Sequence, residues 1–350
     1  MIAPRTRIAA LAASLAIVSL PGDVVDLQEG AKLPTPDDLR AFAFSAGEVP
    51  GFDASAQQVH VTAREISMLP TFALVVPNTP FKPGRQVALG QKLTRPSTGL
   101  TPRADLRLSI TLFSDPSHAV AHAVSADGTV VQQDTYITRG DGSKVLLKAG
   151  TRLHSRALVG PEGEGTFTGF PLGRRAWMLP VPDYRSWIPA ALLRVLDGNV
   201  LVKVEYSPQA YEASAMGLRV PPLTDEVLEV VEYAARLGLS KGYMALLDFK
   251  RLPAAAVRVG STDVRMRKAP DETVFAPAKA VATALGGRME RELGMVTISA
   301  NGRTVTAPIG SRELLVGGKS VSLPLPVLFD GEEVWIEKKA LAKALGVSLS

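Results

Sequence analysis

The chain has 350 residues, is 46% hydrophobic, and carries 39 Lys and Arg against 34 Asp and Glu, a formal net charge of +5. Its length allows two domains with ample core, and the absence of cysteine excludes disulfide frameworks, thiolate metal sites and cysteine nucleophiles. The basic surplus is small and scattered, with no zinc-finger, KH or RRM signature, so nucleic acid is not an expected partner.

Arg5 and Arg7 precede an apolar run from Ile8 to Leu20 broken only by Ser14 and Ser19. This predicts a signal peptide within residues 1–22 and an extracytoplasmic location, secreted or in the cell envelope. The run is shorter than the about 20 residues of a membrane span. Leu20-Pro21-Gly22 is a poor small-x-small cleavage site, so retention as an N-terminal anchor stays open and would be the only membrane contact expected.

After a linker marked by Pro21-Gly22, Gly30, Pro34 and Pro36, residues 35–250 read as an α+β domain. Asp37 to Phe44 predicts a short helix or strand, and Val59–Ala63 alternates like a strand. Residues 77–103, rich in Pro, Gly, Lys and Arg, read as a surface excursion. Leu106–Phe113 is the clearest alternating strand, and Ser114-Asp115-Pro116 opens a helix running through Val124. Thr129–Val131 and Val145–Leu147 predict further strands. Leu192–Leu196 and Val200–Tyr206 form a hairpin about Asp197-Gly198-Asn199. Residues 205–219 read as a loop, and Thr224 caps a helix over Asp225–Leu237 that Gly238 ends. Lys241–Pro253 then reads as the joint to the C-terminal part.

Few motifs here carry chemistry. His118 and His122, four apart on the 116–124 helix, share a face and are candidate metal ligands. The metalloprotease motif needs Glu after the first His, and Ala119 stands there, so the alternative is two partly exposed polar residues. Arg174, Arg175, Trp177, Tyr184 and Trp187, with Arg185, form the one aromatic–basic cluster. Such side chains stack on sugars and anchor interfaces, and a loop plugging its own domain is the competing reading. Glu162, Glu164 and Asp183 are the carboxylates that could pair for glycan hydrolysis, if the fold brought them together. No Gly-x-Ser-x-Gly elbow is present, and no catalytic residue is assigned.

Residues 255–350 contain one pattern twice. VRVGSTDVRM then VFAPAKAVATALGG is answered by LLVGGKSVSL then VWIEKKALAKALGV. Each copy predicts two short strands about a Gly-containing loop, a third strand, and a helix stopped by Gly286 or Gly346. In copy one the helix is expected to begin at Pro277. Ala278, Val281, Ala282 and Leu285 form its apolar stripe, which must pack on the module's own strands, the two modules sharing or abutting sheets. Copy one continues into Met289–Arg291, Val296–Ser299 and, past Asn301-Gly302, Thr304–Pro308.

The Gly-centred opening, the Ala276–Gly286 helix, Val296-Thr297-Ile298 and Pro308-Ile309-Gly310-Ser311 resemble the copper amine oxidase-like N-terminal domain, a bacterial cell-surface stalk module found in tandem. The chain departs from it at Met289-Glu290-Arg291, which lacks a tryptophan, and at Glu337, where the helix-opening proline is replaced. The oxidase that the name implies needs an Asn-Tyr-Asp/Glu site for its quinone and three copper histidines. No tyrosine here follows asparagine, no His-x-His occurs, and residues 255–350 hold no histidine, so amine oxidase activity and its cofactors are not expected. Gly173–Trp177, the 198–202 hairpin and the 224–237 helix are similar to uncharacterised extracytoplasmic sensor-like domains. The resulting expectation is a non-catalytic envelope protein with a surface-presentation or wall-binding role, its partner a wall polymer or another envelope protein. An exported glycan hydrolase and a ligand-binding envelope sensor are the alternatives.

Overall fold

A computed structural model describes residues 32–67, 83–98, 103–125, 135–138, 144–147, 156–159, 175–180, 191–208, 211–214, 217–219 and 225–349. The expected export segment, the strand at Thr129–Val131 and the three carboxylates Glu162, Glu164 and Asp183 lie outside the described residues, as do Arg174, Tyr184 and Trp187. Among the described residues no helix is long and apolar enough to cross a membrane.

The architecture is α+β, as the element pattern predicts. A short helix α1 (Pro36–Arg40), capped by Thr35, precedes the long strands β1 (Asp53–Ile66), β2 (Gly84–Arg95) and β3 (Ala104–Phe113). Helix α2 (Pro116–Ser125) follows, then a ribbon of β4 (Thr135–Thr138) and β5 (Lys144–Leu147). Strands β6 (Arg156–Val159), β7 (Arg175–Pro180), β8 (Ala191–Asp197) and β9 (Val200–Pro208) complete the main sheet. Its order is β1-β2-β3-β9-β8-β7-β6, antiparallel throughout.

Two segments depart from the sequence expectation. The basic, Gly-rich stretch 77–103 contains β2, a central strand whose Val87, Leu89, Gln91 and Leu93 alternate into the core. Gln91 is tolerated there because its amide closes both ways on the Phe44 backbone, at 2.7 and 2.8 Å. Residues 205–219 are not a loop: β9 stays paired with β3 out to Pro208, and β10 (Tyr211–Ser214) pairs with β11 (Gly217–Arg219).

Helix α3 (Asp225–Leu246) is nine residues longer than expected, because Gly238 is a packing position and not a stop. A Cβ on Gly238 would sit 2.8 Å from Val202 Cγ1, and one on Gly242 2.7 Å from Val200 Cγ1. The two glycines, one turn apart, let the helix backbone lie directly on β9 and β3. Its other side meets the C-terminal part, where Ser240 Oγ accepts from Phe329 N at 2.8 Å. A helix buried on both sides must pair its charges, and it does. Glu232 and Arg236 meet at 2.7 Å, and Lys241 reaches Glu48 at 3.0 Å. A 3-10 turn (Phe249–Arg251) then replaces the expected joint, and one apolar core runs from Leu39 to Leu349.

The C-terminal repeats follow. Copy one comprises β12 (Ala254–Val259), β13 (Thr262–Lys268), β14 (Val274–Pro277), α4 (Ala278–Ala284), β15 (Arg288–Glu292), β16 (Met295–Ala300) and β17 (Arg303–Pro308). Copy two has β18 (Glu313–Val316), β19 (Lys319–Ser322), β20 (Leu328–Phe329), β21 (Val334–Glu337) and α5 (Lys338–Leu345). Pro277 ends β14 as the residue before the helix instead of opening its first turn. The modules do share sheets, in the orders β12-β13-β14-β21-β20 and β15-β16-β17-β18-β19. The helices therefore do not close on their own strands alone. Helix α5 packs on β14 and β17 of copy one, and α4 touches β21 of copy two.

Candidate functional site

The main sheet has two unlike faces. One buries Leu106, Leu108, Ile110, Val200, Val202 and Val204 beneath α3. The other is polar along most of its length, and α2 lies across one end of it, over β3, β8 and β9. Beneath α2 a small apolar cluster of Ile66, Phe113, Ala119, Leu196 and Leu201 anchors the helix. Asp115 Oδ1 accepts from Ser117 N at 2.7 Å, which satisfies a free first-turn donor.

Both candidate histidines belong to this face. His118 is 1% exposed, and its ring fills the space a side chain would need on Gly84: an added Cβ there would be 2.1 Å from Cε1. His122, one turn on and half-buried, stacks obliquely on Phe113 with ring centroids 5.1 Å apart. Burial first, then the nearby Lys203 and His118, holds the His122 imidazole below its ordinary value, so it is kept neutral. Among the described residues no three His, Asp or Glu side chains gather as metal ligands.

Strand register assembles the rest. One row crosses the whole sheet: His60, Gly90, Ser109, Lys203, Arg194, Trp177 and Ala157 stand partner to partner. Arg194 is 7% exposed and Lys203 is half-buried, so two cations face each other across β8 and β9 away from bulk water. Like charges at directly opposed positions are unfavourable. Burial first, then Arg194, pushes the Lys203 ammonium below its ordinary value, with Glu205 opposing. Among the described residues, Asp105 holds Lys92 at 2.7 Å, and Glu205 stands opposite Arg107 while also acting on Lys203.

Of the aromatic–basic residues singled out in the sequence, Trp177 stands opposite Arg194 and Arg175 opposite Leu196, two residues apart along the same strand pair. The fold thus brings the histidine pair and part of the aromatic–basic cluster to one sheet. The sequence reading missed Arg194 and Lys203. Counting in from the Gly198-Asn199 turn would have found them, since Asp197 pairs with Val200 and Arg194 must then meet Lys203.

A second polar cluster lies between the sheet domain and the repeats. Arg312 Nε donates to Asp197 Oδ2 at 2.9 Å, its Nη2 to Tyr243 Oη at 2.8 Å, and Nη1 to the Pro324 carbonyl. Tyr243 in turn donates to Asp197 Oδ1 at 3.0 Å, and burial raises its phenol well above the ordinary range. The Asp197 side chain is fully buried. This is an interlock of three elements, the β8–β9 turn, α3 and the link between the copies.

No curated protein and no solved structure matches the chain. The C-terminal resemblance does carry through to a family comparison: residues 261–350 match the family model of the copper amine oxidase N-terminal domain.

Proposed function

We propose that this is a non-catalytic exported envelope protein whose sheet domain binds an anionic wall polymer, with the repeats as its mount. The observation that carries this reading is the match of residues 261–350 to a domain that is non-catalytic in itself, packed against a sheet that sets Arg194 and Lys203 side by side on the face opposite α3. The basic surplus of the chain, 39 Lys and Arg against 34 Asp and Glu, favours an anionic partner. The family matched at residues 261–350 supports a non-catalytic mount, and the basic start with its apolar run supports export. Because the repeats cover one side of α3, they hold the main sheet through that helix.

The test is retention of residues 23–350 on isolated cell wall at rising salt. Retention that weakens as salt rises is expected, since partly exposed charge pairs are screened. Recovery in the supernatant equal to a no-wall control would end this reading. Deleting 255–350 is not a usable comparison, because it would strip the apolar cover from α3.

A further inference from the structure

We infer that the outer edge of β12 is a pairing site for a second copy of this chain, two β12 strands meeting antiparallel about a twofold axis. The inference goes beyond the polymer-binding reading and does not depend on it.

Strand β12 ends the sheet β12-β13-β14-β21-β20, and it is exposed along Ala254, Ala255 and Ala256. Val259 and Thr262 close a two-residue turn, and at the far end of the hairpin Lys268 N donates to the Pro253 carbonyl. Bonds between antiparallel strands alternate, so Val259, Val257, Ala255 and Pro253 bond inward to β13. Ala254, Ala256 and Arg258 therefore turn their N–H and C=O groups outward, where no described strand meets them.

The repeat itself shows what such an edge takes. In copy two β18 is the counterpart of β12, with Val316-Gly317 answering Val259-Gly260. Its outer edge is occupied by β17, Thr306 standing opposite Leu315 and Val305 opposite Val316. Leu315 is the counterpart of Arg258, so the edge that β17 covers in copy two is left open in copy one. Among the described strands, the other edges of the three large sheets are blunted. β1 and β6 carry register shifts, and β15 carries Arg288, Glu290, Arg291 and Glu292. β19 is short and opens on Lys319, and β20 has only 2 residues. By contrast β12 has neither a bulge nor a proline, and its one charge, Arg258, is turned to Asp263 on its own hairpin at 3.5 Å.

A second copy fits because the strand is self-complementary. Pairing centred on Ala256 sets that residue on Ala256 of the second copy, and Ala254 on Arg258 of the second copy. Every outward N–H and C=O then finds a partner, and no like charges stand directly opposed. On the inner face Ala255 covers the half-buried Val257 of the second copy, and two five-stranded sheets join into one. A single strand pair buries well under the about 1,200 Å² of a stable interface, so the contact is weak and reversible.

Sedimentation equilibrium of the full chain from micromolar to millimolar concentration is the first measurement, and a reversible monomer–dimer equilibrium is expected. Ala256→Pro removes the central outward N–H without touching a bond to β13 and should abolish the dimer. Ala256→Lys sets like charges face to face and should weaken it about fivefold. Ser322→Lys adds the same charge to an exposed position on β19 and should leave it unchanged. Melting temperatures check that each variant folds, and Ala256→Lys carries the test if the proline variant does not. The chain has no cysteine, so a single introduced thiol reports on its own position. At the twofold the Cα atoms of residue 256 lie about 5.5 Å apart, within disulfide reach, so Ala256→Cys should crosslink to itself on mild oxidation. Ala254→Cys, about 14 Å from its own image along the strand, should not.

A chain that stays monomeric at millimolar concentration, a dimer indifferent to Ala256→Lys or lost in Ser322→Lys, or equal crosslinking by the two thiol variants would overturn the assignment. A monomeric chain that binds a peptide of the β17 sequence, Arg303–Pro308, would also overturn it, giving the edge to a strand from another repeat.

Discussion

The two repeats begin from the same sequence pattern, yet they satisfy the same physical demand in different ways. Each helix has free N–H groups at its start. In copy two, Glu337 takes the place of a helix-opening proline and caps α5 itself, accepting from Lys339 N at 2.9 Å and Ala340 N at 2.6 Å. In copy one, Pro277 has no side chain that can accept, and the Lys279 N–H is met at 3.1 Å by Glu333, which belongs to copy two. Copy two also lends its β18–β19 hairpin to the edge of copy one's sheet, while β21 pairs with β14. A duplicated unit has thus become an interlocked one. Copy one borrows a cap from copy two, and neither copy completes a sheet by itself.

The harshest way to break that arrangement is at the link between the copies. Arg312→Leu would leave Asp197 fully buried without its guanidinium and Tyr243 without its donor. Removing one partner of a buried pair costs about 3–5 kcal/mol, so chemical denaturation should show a loss of that size. Because Asp197 belongs to the β8–β9 turn, the sheet domain and the repeats should still unfold in one transition. Two separated transitions in the wild type would mean that the copies are not fused to the sheet as the shared core indicates.

A smaller perturbation sharpens the contrast between the helices. Glu337→Ala removes two capping bonds and should destabilise by about 1–2 kcal/mol. Pro277→Ala removes no side-chain cap, and its cost should be confined to the added freedom of the unfolded chain, about 0.4–1 kcal/mol. Urea midpoints of the two variants measure the difference. Equal losses would show that the Glu337 bonds add nothing net in water.

Much of this was legible in the sequence, for local reasons. The repeat, its glycine stops and the β8–β9 hairpin are written in short-range periodicity and turn chemistry, and the structure forms them where expected. What escaped depended on partners distant in the chain. β2 was hidden because its glycines and cations match loop composition, while the contact that makes Gln91 acceptable in the core comes from Phe44. Gly238 looked like a helix stop because the sequence does not reveal that Val202 occupies the space beside it. Likewise Arg194 and Lys203 are unremarkable along the chain, and become a pair only through register. The histidine spacing was visible, but the cationic neighbour that changes its meaning was not.

The mildest prediction concerns the cap that crosses between copies. Burial holds the Glu333 carboxyl above its usual 4.5, with its bonds from Lys279 N and Val334 N opposing. A carboxyl whose folded value is raised costs stability once it ionises, and that cost fades as pH falls through the raised value. Glu333→Gln keeps an oxygen for the Lys279 N–H but has no charge to desolvate. It should therefore stabilise slightly at pH 7, by a few tenths of a kcal/mol (roughly 0.3) given the partial exposure of the site. The advantage should shrink as pH is lowered from just above the raised value toward 4.5. Glu333→Ala, which loses the cap itself, should instead cost about 1 kcal/mol at every pH. If Glu333→Gln were as damaging as Glu333→Ala at pH 7, the charge of Glu333 at the α4 N-terminus would outweigh its burial, and the tie between the copies would be electrostatic rather than a matter of hydrogen-bond satisfaction.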